Sequence, residues 1–437
     1  MTAVPNHSTQ EGGVRWLQVP ALGANALIPE LEASVTQGDW VWLQASATSA
    51  AWEAAAEAFA RLDRPQGGGV LLASGGSQGE RSLCLLPWSH LDRSAVACGH
   101  WLQRSGLDPA TLLLLNPLPM HHVSGLMPWW RSRLWGADHQ PLSPALMKQP
   151  ADLLDACGAL ASWGQRPAVV SLVPTQLKRL LDRPEGVAWL QQLALVWVGG
   201  AGLPAPLADQ ARKLRLPLAP CYGATETVAM VAAQTPAEFL AGEPGCGQPL
   251  EDVELQVQGD GTLLVRTERL ALARWRDGQW APLVDAEGWW RTGDAAELCC
   301  GADGSQQLLI RGRLDGAIHS GGETVFPEQL EQRLRDQAKA QGLALDAVLM
   351  LAVESAEWGQ RLVALVRPSL DQGDAPEWCA LQRSLQAITA TWPPAEQPLR
   401  WCCCPALGPS ETGKWERGRW RQWLARRDSS SRKLSGF

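Results

Sequence analysis

The chain has 437 residues and a single tyrosine, Tyr222, beside 23 tryptophans and 4 phenylalanines. Other shortages close off whole classes of function. Positive charge is in deficit: 38 Lys and Arg face 45 Asp and Glu, a formal net charge of −7. That argues against the basic footprint a nucleic-acid partner requires. No apolar run approaches the ~18 residues that read as a membrane-spanning helix, so no stable membrane insertion is expected. The opening MTAVPNHSTQEGG has no basic start followed by an apolar stretch; no secretory signal is expected, and the cytoplasm is the expected compartment. The 11 cysteines form no CxxC pair, which weakens zinc and redox-motif readings. Cys299-Cys300 and Cys402-Cys403-Cys404 read as small reduced hydrophobes.

What is present is a 46% apolar chain with ample core for two or three domains. The runs GGVLLAS (68–74), TLLLLNPLP (111–119), PAVVSLVP (167–174) and LALVWVGG (193–200) end at Gly, Pro or small polar residues. Ala-rich helical patterns such as SAAWEAAAEAFARL (49–62) separate them. Strands alternating with helices predict an α/β fold with a parallel core. Short strands between Gly and Asp turns follow, then a helical pattern, two more strands and a basic tail. The expectation is a large N-terminal domain of α/β layers over 1–312, with a β-rich subdomain at about 245–312. A small, mobile α+β domain covers 313–437, with a hinge at about 313–316. The tail KWERGRWRQWLARRDSSSRKL pairs Trp with Arg and reads as a solvated terminal helix rather than a membrane-surface one.

Several segments carry chemistry. ASGGSQGER (73–81) follows a strand; its backbone N–H groups can form an anion-binding concavity, with hydroxyls and Arg81 adding donors. Gly75-Gly76-Ser77-Gln78-Gly79 also fits a hydrolase G-x-S-x-G elbow. That elbow needs a helix straight after the serine, and SLCLLP reads as a strand. In RTGD (291–294), Asp294 offers a carboxylate suited to the vicinal hydroxyls of a ribose, and Arg313 can donate to the same sugar. In YGATET (222–227), Tyr222 can cover an adenine, Thr225 donate to phosphate and Glu226 ligate Mg²⁺. Glu226 would also serve as a helix-start carboxylate.

With PMHHVSGL (119–126), GRLDGAIHSGGE (312–323) and ETGKWERG (411–418) added, the chain resembles the adenylate-forming superfamily over nearly its full length. Acyl-CoA synthetases, luciferases and peptide-synthetase adenylation domains belong to it. PMHHVSGL, SLVPTQLKRLL (171–181) and the short length are most similar to the o-succinylbenzoate–CoA ligases of menaquinone and phylloquinone synthesis.

The resemblance implies ATP, Mg²⁺ and coenzyme A as cofactor and co-substrates, a small-molecule acid as substrate, and leaves room for a homodimer. It implies Lys414 as the adenylation lysine, Asp315 as the hinge and Ser320, Gly321, Gly322 and Glu323 as the thioester-forming face. Ser74, Gly75, Gly76, Ser77 and Arg81 would hold phosphate, and Gly223 and Ala224 would lie in the ATP site with Tyr222 and Thr225. Gly199, Gly200 and Ala201 would pack adenine and the acyl group, with His122, Ser171 and Thr175 toward the acid. The phosphate loop departs from the family pattern: Gly76 replaces a hydroxyl, Gln78 a glycine and Arg81 a lysine. Arginine keeps the charge without the point-donor geometry. Another aryl or medium-chain acid, or a weakened member that binds nucleotide or acyl ligand without turnover, stays open beside the first reading.

Overall fold

Apolar runs bounded by turn residues become strands here, and the Ala-rich and amphipathic segments between them become helices. The computed structural model describes residues 10–11, 14–18, 27–44, 50–62, 66–74, 82–276, 278–301, 304–314, 316–320, 323–355, 357–369, 375–408 and 415–434. The fold is α/β. Two compact units emerge: the first runs to residue 310 apart from 77–79 and 293–296, which group with 311–437 in the second. No helix among the described residues is long and apolar enough to cross a membrane.

The first unit holds two seven-stranded sheets. One runs in the order Gln10–Glu11, Val14–Gln18, Trp40–Gln44, Gly69–Ser74, Ser82–Pro87, Ala273–Arg276 and Gln279–Pro282. It is parallel from its second strand to its fourth and antiparallel elsewhere. Its last two strands come from the stretch whose texture reads as a β-rich subdomain, and they place Arg274 opposite Cys84. The other sheet runs Gln248–Pro249, Ala229–Ala233, Leu218–Ala224, Leu195–Val198, Ala168–Leu172, Leu113–Asn116 and Asp138–Pro141. Its last five strands are parallel.

Leu113–Asn116 and Leu195–Val198 are buried along their whole length, as continuous apolar runs in a sheet covered on both faces must be. Leu115, Val170, Val196 and Leu218 share one core with Leu153, Leu177, Leu180 and Trp189 from the connecting helices. Helices Trp88–Arg104 and Val123–Trp135 contribute Leu91, Ala95, Leu126 and Trp130 to a second core, which also takes Val41, Val70 and Leu86 from the first sheet. A four-stranded sheet, Glu254–Val257, Thr262–Arg266, Trp290–Cys300 and Gln306–Arg313, follows in the chain.

The second unit is built on Glu323–Val325, Ile318–Ser320, Gly359–Pro368 and Leu345–Ser355, with Arg400–Cys403 paired parallel to Gly359–Pro368. Side chains alternate across a strand. Val348 and Met350 therefore meet Leu330 and Leu334 of helix Pro327–Ala340. Leu349 and Leu351 face the other way, to Cys402, Cys404, Trp420 and Leu424. Cys402 and Cys404 of the triplet thus serve as core while Cys403 between them is half-buried, and all 11 cysteines are free thiols. The tail helix, Arg417–Leu434, is not the solvated helix its charge suggests. Its Trp420 is 2% exposed, because its few apolar residues fall on one face and cover the sheet. Arg417 adds an anchor: it donates to the Met350 carbonyl at 2.8 Å and pairs with buried Glu331 at 3.0 Å.

Docking of the tail makes Trp420→Ala a core truncation, expected to cost about 3–5 kcal/mol of stability. Arg421→Ala, on the exposed face, should change stability by less than about 0.5 kcal/mol. Denaturant titration followed by circular dichroism measures both, and a Trp420→Ala variant as stable as the parent would contradict the docked helix.

Candidate active site

Strand order in the parallel sheet reverses at Leu113–Asn116. The chain goes first to Asp138–Pro141 on one side, then to Ala168–Leu172 and onward on the other. Ligands of open α/β sheets bind outside the carboxyl ends of the strands at such a reversal. Asn116 closes the first strand and donates to the Gly125 carbonyl at 2.8 Å, tying the following loop to its helix. That loop approaches so closely that a Cβ on Gly125 would lie 2.2 Å from the Pro119 carbonyl oxygen. His122 caps helix Val123–Trp135 with extended dihedrals, its side chain exposed, and its ring centroid lies 4.3 Å from that of His121.

The next strands bring their own ends to this edge. Ser171 is half-buried near the end of Ala168–Leu172, and Thr175 is exposed in the first turn of helix Pro174–Leu181. Gln176 Oε1 accepts from the Val173 N–H at 3.1 Å and fixes the turn between them. Gly199 follows Leu195–Val198 and donates to the Leu172 carbonyl at 3.2 Å; Gly200 and Ala201 continue it, exposed.

Tyr222 lies on the adjacent strand, half-buried and opposite Ala232. Register shifts between Tyr222 and Gly223, and a Cβ on Gly223 would lie 2.0 Å from the Ala229 carbonyl oxygen. Only glycine permits that approach. Beyond Ala224 the chain reverses, with the Val228 N–H donating to the Thr225 carbonyl at 3.1 Å. Thr227 Oγ1 accepts from the Ala224 N–H at 2.9 Å and donates to the Ala229 carbonyl at 2.6 Å. Val228 and Ala229 take φ of 52° and 75°, a left-handed conformation that costs side-chain-bearing residues on the order of 1–3 kcal/mol each. Thr225 and Glu226 ride at the head of this turn. No helix starts there, so Glu226 is not a helix-start carboxylate.

Glu226 is only 8% exposed and faces Arg274 at 3.8 Å. Cys84 lies across from Arg274. Burial pushes its thiol well above the usual range; the nearby Glu226 carboxylate adds to this, while Arg274 and Ser74 oppose it. Ser74 Oγ in turn lies 2.5 Å from Ser82 Oγ. The root of the glycine–serine loop and the acidic residue of YGATET, remote in sequence, therefore converge around Cys84. A lone buried carboxylate suits Mg²⁺, which keeps water and is shared with substrate phosphates. Among the described residues no group of three or more His, Cys, Asp or Glu forms a closed metal site. Gly75, Gly76, Ser77 and Arg81 lie outside the described residues.

In the second unit, Arg313 Nη1 donates to Asp294 Oδ1 at 3.2 Å, and the Leu314 N–H donates to the Gly293 carbonyl at 2.8 Å. The two residues expected at a ribose are thus neighbours. Ser320 is fully buried and sits opposite Glu323, which is exposed, across a short hairpin. Asp315, Gly321, Gly322 and Lys414 lie outside the described residues.

Sequence patterning missed Arg131 and Trp197. Arg131 reads as an ordinary helical charge in a Trp-rich run, yet it is 4% exposed, with its guanidinium 5.3 Å from the Trp197 ring centroid. Its charge is felt at Cys98 and Cys221. The Cys221 thiol, pushed up to about 12 by burial, lies 2.9 Å from where a Gly199 Cβ would be. Arg131 Nε and Trp197 Nε1 are both buried donors with no hydrogen-bond partner among the described residues. Two donor-only groups side by side leave an acceptor wanting, since each unmet donor costs about 1–3 kcal/mol.

Residues 71–268 match the family model of AMP-binding enzymes. The 2-succinylbenzoate–CoA ligase of Salmonella typhimurium is 33% identical over 317 residues, covering 71% of this chain and 60% of that one. The 2-succinylbenzoate–CoA ligase of Haemophilus influenzae is 30% identical over 342 residues, covering 78% and 67%. Wild-type E. coli MenE with a bound phenylether-linked analogue of OSB-AMS superposes with a TM-score of 0.58 at 27% identity, over 92% of this chain and 80% of that one. The chain thus spans 60% of the Salmonella enzyme's length. With its parallel-sheet edge, its YGATET turn and these matches together, the chain belongs to the AMP-binding enzyme family.

Proposed function

We propose that this chain is an ATP-dependent acid–CoA ligase whose acid is 2-succinylbenzoate, the o-succinylbenzoate of the sequence resemblance. An oxygen of the acid's aliphatic carboxylate attacks the ATP α-phosphorus, forming acyl-AMP and expelling pyrophosphate. The CoA sulfur then attacks the acyl carbon, its proton passing to solvent, and AMP departs with the former bridging oxygen. Tyr222 covers adenine, and Thr225 donates to phosphate. Glu226 holds the Mg²⁺ that ATP carries, which offsets negative charge on the phosphates. Asp294 and Arg313 take the ribose, and Lys414 meets charge developing at the α-phosphate. Asp315 is the hinge about which the smaller, mobile domain turns to bring Ser320, Gly321, Gly322 and Glu323 to the thioester step. In this reading the enzyme works in the cytoplasm, in menaquinone or phylloquinone synthesis.

The observation that carries the choice of acid is the pair of orphan donors, Arg131 Nε and Trp197 Nε1. 2-Succinylbenzoate has a second, aromatic carboxylate that does not react. Burying it unpaired would be costly, and a buried guanidinium beside an indole N–H would supply its partners. The names of the Salmonella and Haemophilus relatives point to the same acid.

Pyrophosphate release measured with ATP, Mg²⁺ and a panel of acids tests the reading. Activity is expected with 2-succinylbenzoate and little with benzoylpropionate, which lacks the aromatic carboxylate. Discrimination of up to about 10⁴ is available when buried donors are left unpaired. Arg131→Met should shrink that ratio by about tenfold or more, mainly by raising KM for 2-succinylbenzoate. Comparable kcat/KM for octanoate or 4-coumarate, or no pyrophosphate from any acid, would overturn the proposal.

Gly223→Ala tests the turn itself. The added carbon cannot share space with the Ala229 carbonyl, so Thr225 and Glu226 must shift by about an ångström, and adenylation should slow by about 10²-fold. A variant that adenylates normally would show that the close approach does not set the site.

A further inference from the structure

The turn that carries Thr225 and Glu226 is held from outside its own motif. Its carbonyl oxygens are engaged one after another. Glu226 O accepts from the Ala271 N–H at 2.8 Å. Thr227 O accepts from Arg269 Nη1. Val228 O accepts from Ser94 Oγ at 2.6 Å, Ala229 O from Thr227 Oγ1 at 2.6 Å, and Met230 O from Arg269 Nη2 at 2.9 Å. Arg269 thus grips both ends of the left-handed step at Val228 and Ala229. It is 0% exposed, and Asp252 neutralises it by accepting from Nε at 2.6 Å and from Nη2 at 3.3 Å. Thr267 Oγ1 bonds the same carboxylate at 3.2 Å. The strand that follows Arg269 carries Arg274, the cation facing Glu226.

We propose that Arg269, neutralised by Asp252, is a positioning residue for the nucleotide and metal site: by clamping the Thr227 and Met230 carbonyls it fixes where Thr225 and Glu226 point. Neither residue belongs to the YGATET segment, and neither faces a ligand in this role. A planar guanidinium reaches two carbonyls and a carboxylate at once, which a lysine ammonium on a flexible stem does not. A desolvated arginine is a costly way to fill a core, and it is retained where its hydrogen bonds define one geometry. The inference rests on reading Thr225 and Glu226 as the residues that handle ATP and Mg²⁺.

The test is binding of MgATP to the full chain without any acid, read by calorimetry and by the rise in Tm, as a function of Mg²⁺ concentration. Arg269→Met, Arg269→Lys, Asp252→Asn and Glu226→Gln are compared with the parent and with Leu180→Ala, a cavity variant in the separate core of the parallel sheet. Arg269→Met should raise half-saturating Mg²⁺ by about 10–100-fold, as loss of a group behind a metal ligand does. Arg269→Lys should fall between it and the parent, and Asp252→Asn should move the same way. Leu180→Ala should lower Tm without moving the Mg²⁺ midpoint. If Arg269→Met does not fold, the Lys and Asn variants decide. Folded variants with the parent's Mg²⁺ midpoint would overturn the inference, as would an equal shift in Leu180→Ala, which would mark a merely structural role. Glu226→Gln separates the two layers: an unchanged midpoint there removes the reading of the site itself. A shifted midpoint in Glu226→Gln beside unchanged Arg269 and Asp252 variants removes only the clamp.

Discussion

Five consecutive carbonyls, from Glu226 to Met230, each accept a hydrogen bond, and that constraint fixes where Thr225 and Glu226 stand. A buried turn with two side-chain-bearing residues at positive φ survives only if its surroundings over-determine it. Here they do so with four different donor types: a backbone N–H, a serine, a threonine and a buried arginine. The carbonyl of Ala229 also closes over Gly223, so Tyr222 on one strand and Glu226 at the head of the turn are set by the same contact. Single-site changes around this turn are therefore expected to act together on nucleotide and metal.

The sheet supplies the other half of the arrangement. Strand order reverses at Leu113–Asn116, and the carboxyl ends of successive parallel strands lead to His122, Ser171, Gly199 and Tyr222 along one edge. The first sheet contributes from beside it. Its Cys84 stands near Glu226 because Ala273–Arg276, late in the chain, returns to pair with Ser82–Pro87 and carries Arg274 between them. Helix Val123–Trp135 and strand Leu195–Val198 bring Arg131 and Trp197 together in the interior, the guanidinium 5.3 Å from the indole ring centroid.

The elements that were legible in the sequence are those written in local patterns. PEQLEQRLRDQAKA, with Pro first and apolar residues at helical spacing, is helix Pro327–Ala340, and the four apolar runs are strands that end within two residues of their turn signals. The tail helix was legible as a helix, but its docking was not, because its many arginines outweigh the few apolar residues, Trp420, Trp423 and Leu424, that share one face. That Ala273–Arg276 joins the first sheet rather than a local β subdomain is a non-local pairing that composition does not encode. Arg131, Trp197 and Arg269 were missed for one reason: each becomes informative only through burial, and a buried arginine looks in sequence like a surface one. Glu226 and Gly223 were legible as chemistry, while the clamp that holds them lies some forty residues further on, outside any motif.

The most direct measurement is a crystal structure of the chain with ATP and Mg²⁺. The account predicts a metal ion about 2.0–2.1 Å from a Glu226 carboxylate oxygen, phosphate within hydrogen-bonding distance of Thr225, and adenine against the Tyr222 ring, with the 226–230 carbonyl bonds unchanged. Nucleotide bound away from the carboxyl edge of the parallel sheet, or a metal ion that does not touch Glu226, would contradict it.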